Sequence, residues 1–263
     1  MSTPGARFDQ IINSRYDRSM YGELARDLYE GSDFHNLGYW SPGTGSLKQA
    51  CENMIEKIVT FLPEKNGTIL DVGCGKGATT RHLLRYYPKE AILAINISIK
   101  QLETSRRNAP GCAFVAMDAT RLALPDESID NAICVEASSD FNTREKFLYE
   151  AYRVLKPGGR LAFSDILVDW WLEKRSPVRQ GANFVGSLPD YRSLFRRVGF
   201  RQVEVHDATD SVFVPYVRYY TRFLKRRLAN HEVDARGYNA AMAGLGLTLF
   251  WMRYYVVGWA LKS

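Results

Sequence analysis

The sequence predicts an α/β protein built on an open, doubly wound, mostly parallel sheet, with an N-terminal helical arm and a C-terminal helical insertion that closes as a lid. Three observations predict it. Five short runs, at residues 68–72, 91–95, 113–117, 132–135 and 160–167, are continuously apolar rather than alternating. That is the pattern of parallel strands buried on both faces. Capped helical segments separate these runs, and a glycine-rich loop follows the first run directly.

Ser46 and Gln49 read as a capping box, followed at helical spacing by Leu47, Ala50, Cys51, Met54, Ile55, Ile58 and Val59. Pro63 ends that helix. Ser98 with Gln101 makes a second capping box, and Asn142 with Glu145 resembles a third. Lys156-Pro157-Gly158-Gly159 is a stop and turn before the fifth run. Further on, Pro189 and Asp190 start a helix that carries Tyr191, Leu194, Phe195 and Val198 and ends at Gly199, with a strand near 201–205 after it. Residues 215–228 read as an amphipathic helix. Tyr216, Tyr219, Tyr220, Phe223, Leu224 and Leu228 form one side, and Arg218, Arg222, Lys225, Arg226 and Arg227 form a solvated other side. Residues 238–261 carry a single charge, Arg253, but Gly244 and Gly246 read as a small-residue turn before a last strand at about 249–261. A turn and a strand fit that stretch better than a membrane span, and a soluble protein is expected.

Composition excludes several classes. The 263 residues are 46% hydrophobic and 24% charged, so a packed core is expected rather than disorder. Residues 1–10 lack the apolar stretch of a secretory signal. Cys51, Cys74, Cys112 and Cys134 form no CxxC pair, so reduced thiols in a cytosol are expected and no metal site is. The net charge is +6, and residues 167–263 hold 15 Lys/Arg against 8 Asp/Glu, so the basicity belongs to the C-terminal part. All five tryptophans lie outside residues 67–167, which places the aromatic excess largely outside the glycine-loop core as well.

Asp71-Val72-Gly73-Cys74-Gly75-Lys76-Gly77 is the central motif. Glycines there allow a tight turn and close approach of a ligand to the backbone. Gly77 falls two positions after Gly75, which departs from the dinucleotide fingerprint, and no Gly-Lys-Ser/Thr phosphate loop is present. At these residues the chain resembles the class I S-adenosylmethionine methyltransferases, whose fold is Rossmann-like. The resemblance continues in order through Ala94-Ile95-Asn96-Ile97-Ser98, Asp118-Ala119, Glu136 and Leu155-Lys156-Pro157-Gly158-Gly159-Arg160.

The resemblance implies a division into an arm at 1–45, a cofactor-binding core at 46–167 and a substrate-side part at 168–263, all in one domain. It implies S-adenosylmethionine as cofactor, S-adenosylhomocysteine as product and no metal. Asp71, Gly73 and Gly75 would hold the methionine part, with Ile97, Ala119 and Glu136 also on the cofactor. Asn96 stands where the family often has Asp or Glu for the ribose hydroxyls, with Gln101 nearby, and Asp118 would meet the adenine amino group. Asp33-Phe34-His35-Asn36-Leu37-Gly38-Tyr39-Trp40 looks like the arm of small-molecule, natural-product methyltransferases, with Tyr39 closing over the sulfonium and Trp40 either joining it or stapling the arm. Asp140 occupies a position where relatives often carry histidine, so Asp140 and His35 are candidate bases, ahead of His82, His206 and His231. Trp170, Trp171, Tyr216, Tyr219, Tyr220 and Phe223 are the candidate acceptor pocket, with ordinary core the alternative for each.

The expected activity is methyl transfer to a small organic acceptor, with oxygen favoured over carbon or nitrogen and no nucleic acid expected. The rivals are nucleic-acid or protein methylation, suggested by the basic helix face, and a related protein that binds or cyclises a ligand without transferring methyl groups.

Overall fold

The computed structural model describes residues 4–175 and 181–263, with side chains from Gln10 onward. Two helices, α1 (Pro4–Met20) and α2 (Glu23–Leu28), form the arm. The core then alternates α3 (Leu47–Val59), β1 (Ile69–Val72), α4 (Ala78–Leu83), β2 (Ile92–Asn96), α5 (Ile99–Asn108), β3 (Ala113–Ala116), β4 (Ile129–Val135), α6 (Arg144–Val154) and β5 (Leu155–Val168). The C-terminal part adds α7 (Trp170–Lys174), α8 (Leu188–Val198), β6 (Gln202–Asp207), α9 (Thr209–Ala229), α10 (Ala235–Trp251) and β7 (Met252–Leu261).

The seven strands run in the order β3-β2-β1-β4-β5-β7-β6. All neighbours from β3 to β5 pair in parallel, and β7 is antiparallel to both β5 and β6. This is the class I methyltransferase sheet. Strand order reverses between β1 and β4, so the loops that follow these two strands diverge and leave a crevice at their carboxyl ends. β1 is buried throughout, as its apolar run requires. β3 differs: only Phe114 is buried, because β3 is the edge strand.

Local signals explain most boundaries. Ser46 and Ser98 accept the predicted cap bonds from the N–H groups of Gln49 and Gln101 at 3.2 Å. The third capping box does not form. Thr143 occupies the N-cap of α6 without a side-chain bond, and Asn183 instead accepts the Arg144 N–H at 2.8 Å. The turn expected at Gly244 and Gly246 is also absent, since both lie inside α10. Each costs roughly 1 kcal/mol relative to alanine in a helix. The alanines and leucines around them, and the Asp234 cap on the Gly237 N–H, outweigh that cost. Arg227 leaves the solvated face of α9. It is buried, with its guanidinium 2.9 Å from Asp27 and 3.3 Å from Glu232. No helix among the described residues is long and apolar enough to cross a membrane.

A buried ion pair fastens the C-terminal part to the sheet. Arg144 Nε donates to Asp165 at 2.7 Å, and Arg144 also donates to the carbonyls of Asn183 and Ile166. Tyr191 donates to the same Asp165 carboxylate at 2.8 Å. Removing one partner of such a pair leaves the other charge buried without compensation. Asp165→Ala is expected to destabilise the protein by about 3 kcal/mol, read as a lower urea midpoint. An unchanged midpoint would contradict this role.

Candidate active site

The crevice at the β1/β4 switch point opens into a cavity of about 1150 Å³ that runs beneath α1, α9 and α10. One bank is the loop after β1. Gly73 and Gly77 have φ of 74° and 81°, and a Cβ at Gly73 would sit 2.5 Å from that of Ala137. Only glycine fits there, which leaves the loop without side chains at Gly73 and Gly75 along the cavity wall. Asp71 stands behind this loop, outside the cavity lining. It accepts a 2.6 Å bond from Thr80, and burial raises its pKa to about 7.

The ends of β2 and β3 supply the next wall. Asn96, Ile97, Gln101, Met117, Asp118 and Ala119 all line the cavity. Asn96 Nδ2 donates to Gln101 Oε1 at 2.8 Å, while its own Oδ1 accepts the Ile97 N–H at 2.8 Å. Asp118 accepts both the N–H and the hydroxyl of Thr120 at 2.8 Å.

Glu136 closes the end of β4 at a positive φ of 53°. Its carboxyl accepts the Leu37 N–H at 2.8 Å and the Tyr255 hydroxyl, so it joins the arm to β7. Burial raises its pKa to about 7, against the two hydrogen bonds that favour the ionised form. Asp140 follows on the same bank. Arg15 donates to it at 2.9 Å and the Tyr16 hydroxyl donates to its other oxygen. His35 lines the cavity, with Nε2 2.9 Å from the Ser19 hydroxyl and a buried Nδ1 that has no hydrogen-bond partner among the described residues. Burial and the charges of Lys76 and Arg15 push its pKa down to about 4, so the ring is neutral at pH 7.

The family model of the methyltransferase domain matches residues 70–163. The methyltransferase GfsG of Streptomyces halstedii is 30% identical over 220 residues, 77% of this chain and 77% of its own. The chain belongs to the S-adenosylmethionine-dependent methyltransferases. The erythromycin 3''-O-methyltransferase of Saccharopolyspora erythraea is 28% identical, covering 85% of this methyltransferase and 81% of its own length. The crystal structure of the cyclase SpnF matches with a TM-score of 0.73 at 22% identity, over 97% of this chain and 96% of that one. The last likeness concerns the fold alone.

Not every expected site residue reaches the methyltransferase's cavity. Tyr39 turns away from it. Gly38 packs so closely on Ala50 that the next residue bonds to α3, Tyr39 N–H to Ala50 carbonyl at 2.8 Å, and the Tyr39 ring lies under Lys57. Trp40 staples the arm to α9, with its ring 5.2 Å from Tyr219. Tyr219 itself bonds to Glu30, and Phe223 is core. Helical phase explains the split: Tyr216 and Tyr220, four apart, stack at 5.9 Å and line the cavity, while Tyr219 falls on a neighbouring face. Trp170 packs on Phe184, and Trp171 is exposed to solvent. Leu172, one residue on, and Trp251 line the cavity instead. His82 is buried beside Glu56, while His206 and His231 are exposed away from the site. Arg15, Tyr16 and Tyr29 on the arm are cavity residues that no sequence motif marks.

The two raised carboxyls have a consequence for stability. Asp71 and Glu136 keep their protons up to about pH 7 in the folded chain, while the unfolded chain loses them near 3.8 and 4.5. The folded state therefore binds more protons across that window, and stability falls as pH rises through it. The ligand-free protein is expected to have a lower urea midpoint at pH 8 than at pH 5. Glu136→Gln is expected to shrink that difference, and an unaltered difference would contradict a protonated Glu136.

Proposed function

We propose that this methyltransferase O-methylates a hydrophobic small molecule of secondary metabolism. The observation that carries the reading is the single cavity that joins the glycine-loop crevice to an apolar chamber. The donor set suits the cofactor. Gly73 and Gly75 leave room for a flexible chain, Asn96 and Gln101 offer amides for ribose hydroxyls, and Asp118 offers a carboxylate for an adenine amino group. Ile97, Met117 and Ala119 give flat apolar surface for the ring, and Glu136 is a carboxyl that a nearby cation would favour in its ionised form. Asp71 acts from behind the loop, by holding Thr80 at the start of α4. When bound, S-adenosylmethionine supplies a methyl group already activated by its sulfonium. No metal is required by this chemistry.

Tyr29, Ile166, Leu172, Tyr216, Tyr220 and Trp251 give the cavity its apolar walls, and Arg144, Glu173 and Arg175 also belong to its lining. Its apolar walls exclude water and hold the acceptor in line with the methyl group, which is where most of the rate arises. The O-methylating relative from S. erythraea supports oxygen as the acceptor atom. Of the two candidate bases, His35 is the better placed. Asp140 is already held by Arg15 and Tyr16, whereas His35 lines the cavity and is neutral. His35 takes the proton of the acceptor hydroxyl, and Asp140 latches α1 over the site.

Methyl-labelled S-adenosylmethionine with a panel of polyketide-type alcohols tests the reading. Labelled ethers are expected. With the best alcohol, His35→Asn is expected to lower turnover by roughly 100-fold and to leave S-adenosylhomocysteine affinity within about threefold, while Asp140→Asn has the smaller effect on turnover. Tight cofactor binding with no labelled product from any acceptor would favour the cyclising or carrier protein.

A further inference from the structure

The ribose side of the cleft lacks a carboxylate of its own, because β2 ends on Asn96. Neither amide in this corner is free to rotate. Asn96 Oδ1 accepts the Ile97 N–H at 2.8 Å, and Asn96 Nδ2 donates to Gln101 Oε1 at 2.8 Å and to the Gly75 carbonyl at 3.3 Å. Gln101 Nε2 in turn donates to Asp17 Oδ1 at 2.7 Å, and the Ser98 hydroxyl donates to the same oxygen at 2.9 Å. Asp17 belongs to α1 and reaches this corner from 84 residues away in the chain.

We propose that Asp17 is the positioning carboxylate of the ribose site, acting through Gln101 and Asn96. The inference rests on the cofactor reading above. A charged acceptor makes a stronger hydrogen bond than a neutral one. The Asp17 carboxylate therefore fixes which end of the Gln101 amide faces Asn96, and that in turn fixes the Asn96 amide. The remaining acceptor capacity of the two amide oxygens is thereby set for the ribose hydroxyls. A carboxylate absent from the strand end is replaced by one carried on the arm, so cofactor affinity depends on the docking of α1. Asn13, one turn earlier, supports the docking by donating to the Ile97 carbonyl at 3.3 Å.

Calorimetric titration of the full chain with S-adenosylhomocysteine tests this without any acceptor. Asp17→Ala is expected to weaken binding about tenfold. In the Asp17→Ala background, Asn96→Asp is expected to restore affinity to within about threefold of the unaltered chain, because the carboxylate is then supplied at the strand end itself. Asn96→Asp with Asp17 retained is expected to gain nothing, since two carboxylates would share one amide. Should Asp17→Ala fail to fold by its thermal melt, Asp17→Asn, which removes the charge and keeps the volume, takes its place in each arm. Equal affinity with and without Asp17 would overturn the proposal. So would a loss that Asn96→Asp does not repair, which would make Asp17 a fastener of α1 alone. Failure of the unaltered chain to bind S-adenosylhomocysteine would instead overturn the cofactor reading itself.

Discussion

The reversal of strand order between β1 and β4 is the constraint from which the rest follows. Because the chain leaves these neighbouring strands in opposite directions, no helix can cover their carboxyl ends, and a crevice remains. Gly73 and Gly77 hold the β1 bank in a conformation closed to other residues, and Glu136 holds the β4 bank with a positive φ. The C-terminal strands extend the same plan. β7 enters antiparallel between β5 and β6, and brings the Tyr255 hydroxyl to the Glu136 carboxyl.

A crevice of this kind needs a cover, and α1 provides it by touching both banks. On one side Asn13 and Asp17, with Tyr21 just beyond the helix, bond to Ile97, to Ser98 and Gln101, and to Thr104. On the other side Arg15 and Tyr16 bond to Asp140. These contacts are polar and partly exposed, whereas the sheet beneath is held by apolar burial. Each such hydrogen bond contributes only about 1 kcal/mol net.

The sheet and the glycine loop were legible in the sequence because their signals are local. An apolar run between caps announces a strand wherever it is placed. What depended on placement was not legible. β3 carries the same kind of run as β1, yet it is largely exposed, because edge position comes from topology. The cap of α6 comes from Asn183, 39 residues away, so Asn142 and Glu145 pointed to a box that is not used. Tyr216 and Tyr220 could not be told from Tyr219 and Phe223 without the rotation of α9 about its axis. The arm was the least legible part of the site. Tyr16 and Asp17 bond to residues more than 80 positions away, and no spacing rule connects them.

In the proposed reaction one cleft holds the methyl donor and passes its methyl group to an acceptor beside Tyr29, Tyr216 and Tyr220. The decisive measurement is a crystal structure of the protein with S-adenosylhomocysteine. Density is expected with the adenine beside Asp118, the ribose at Asn96 and Gln101, and the sulfur facing Tyr29, Tyr216 and Tyr220. Density in another cleft, or a ribose that touches neither Asn96 nor Gln101, would contradict it.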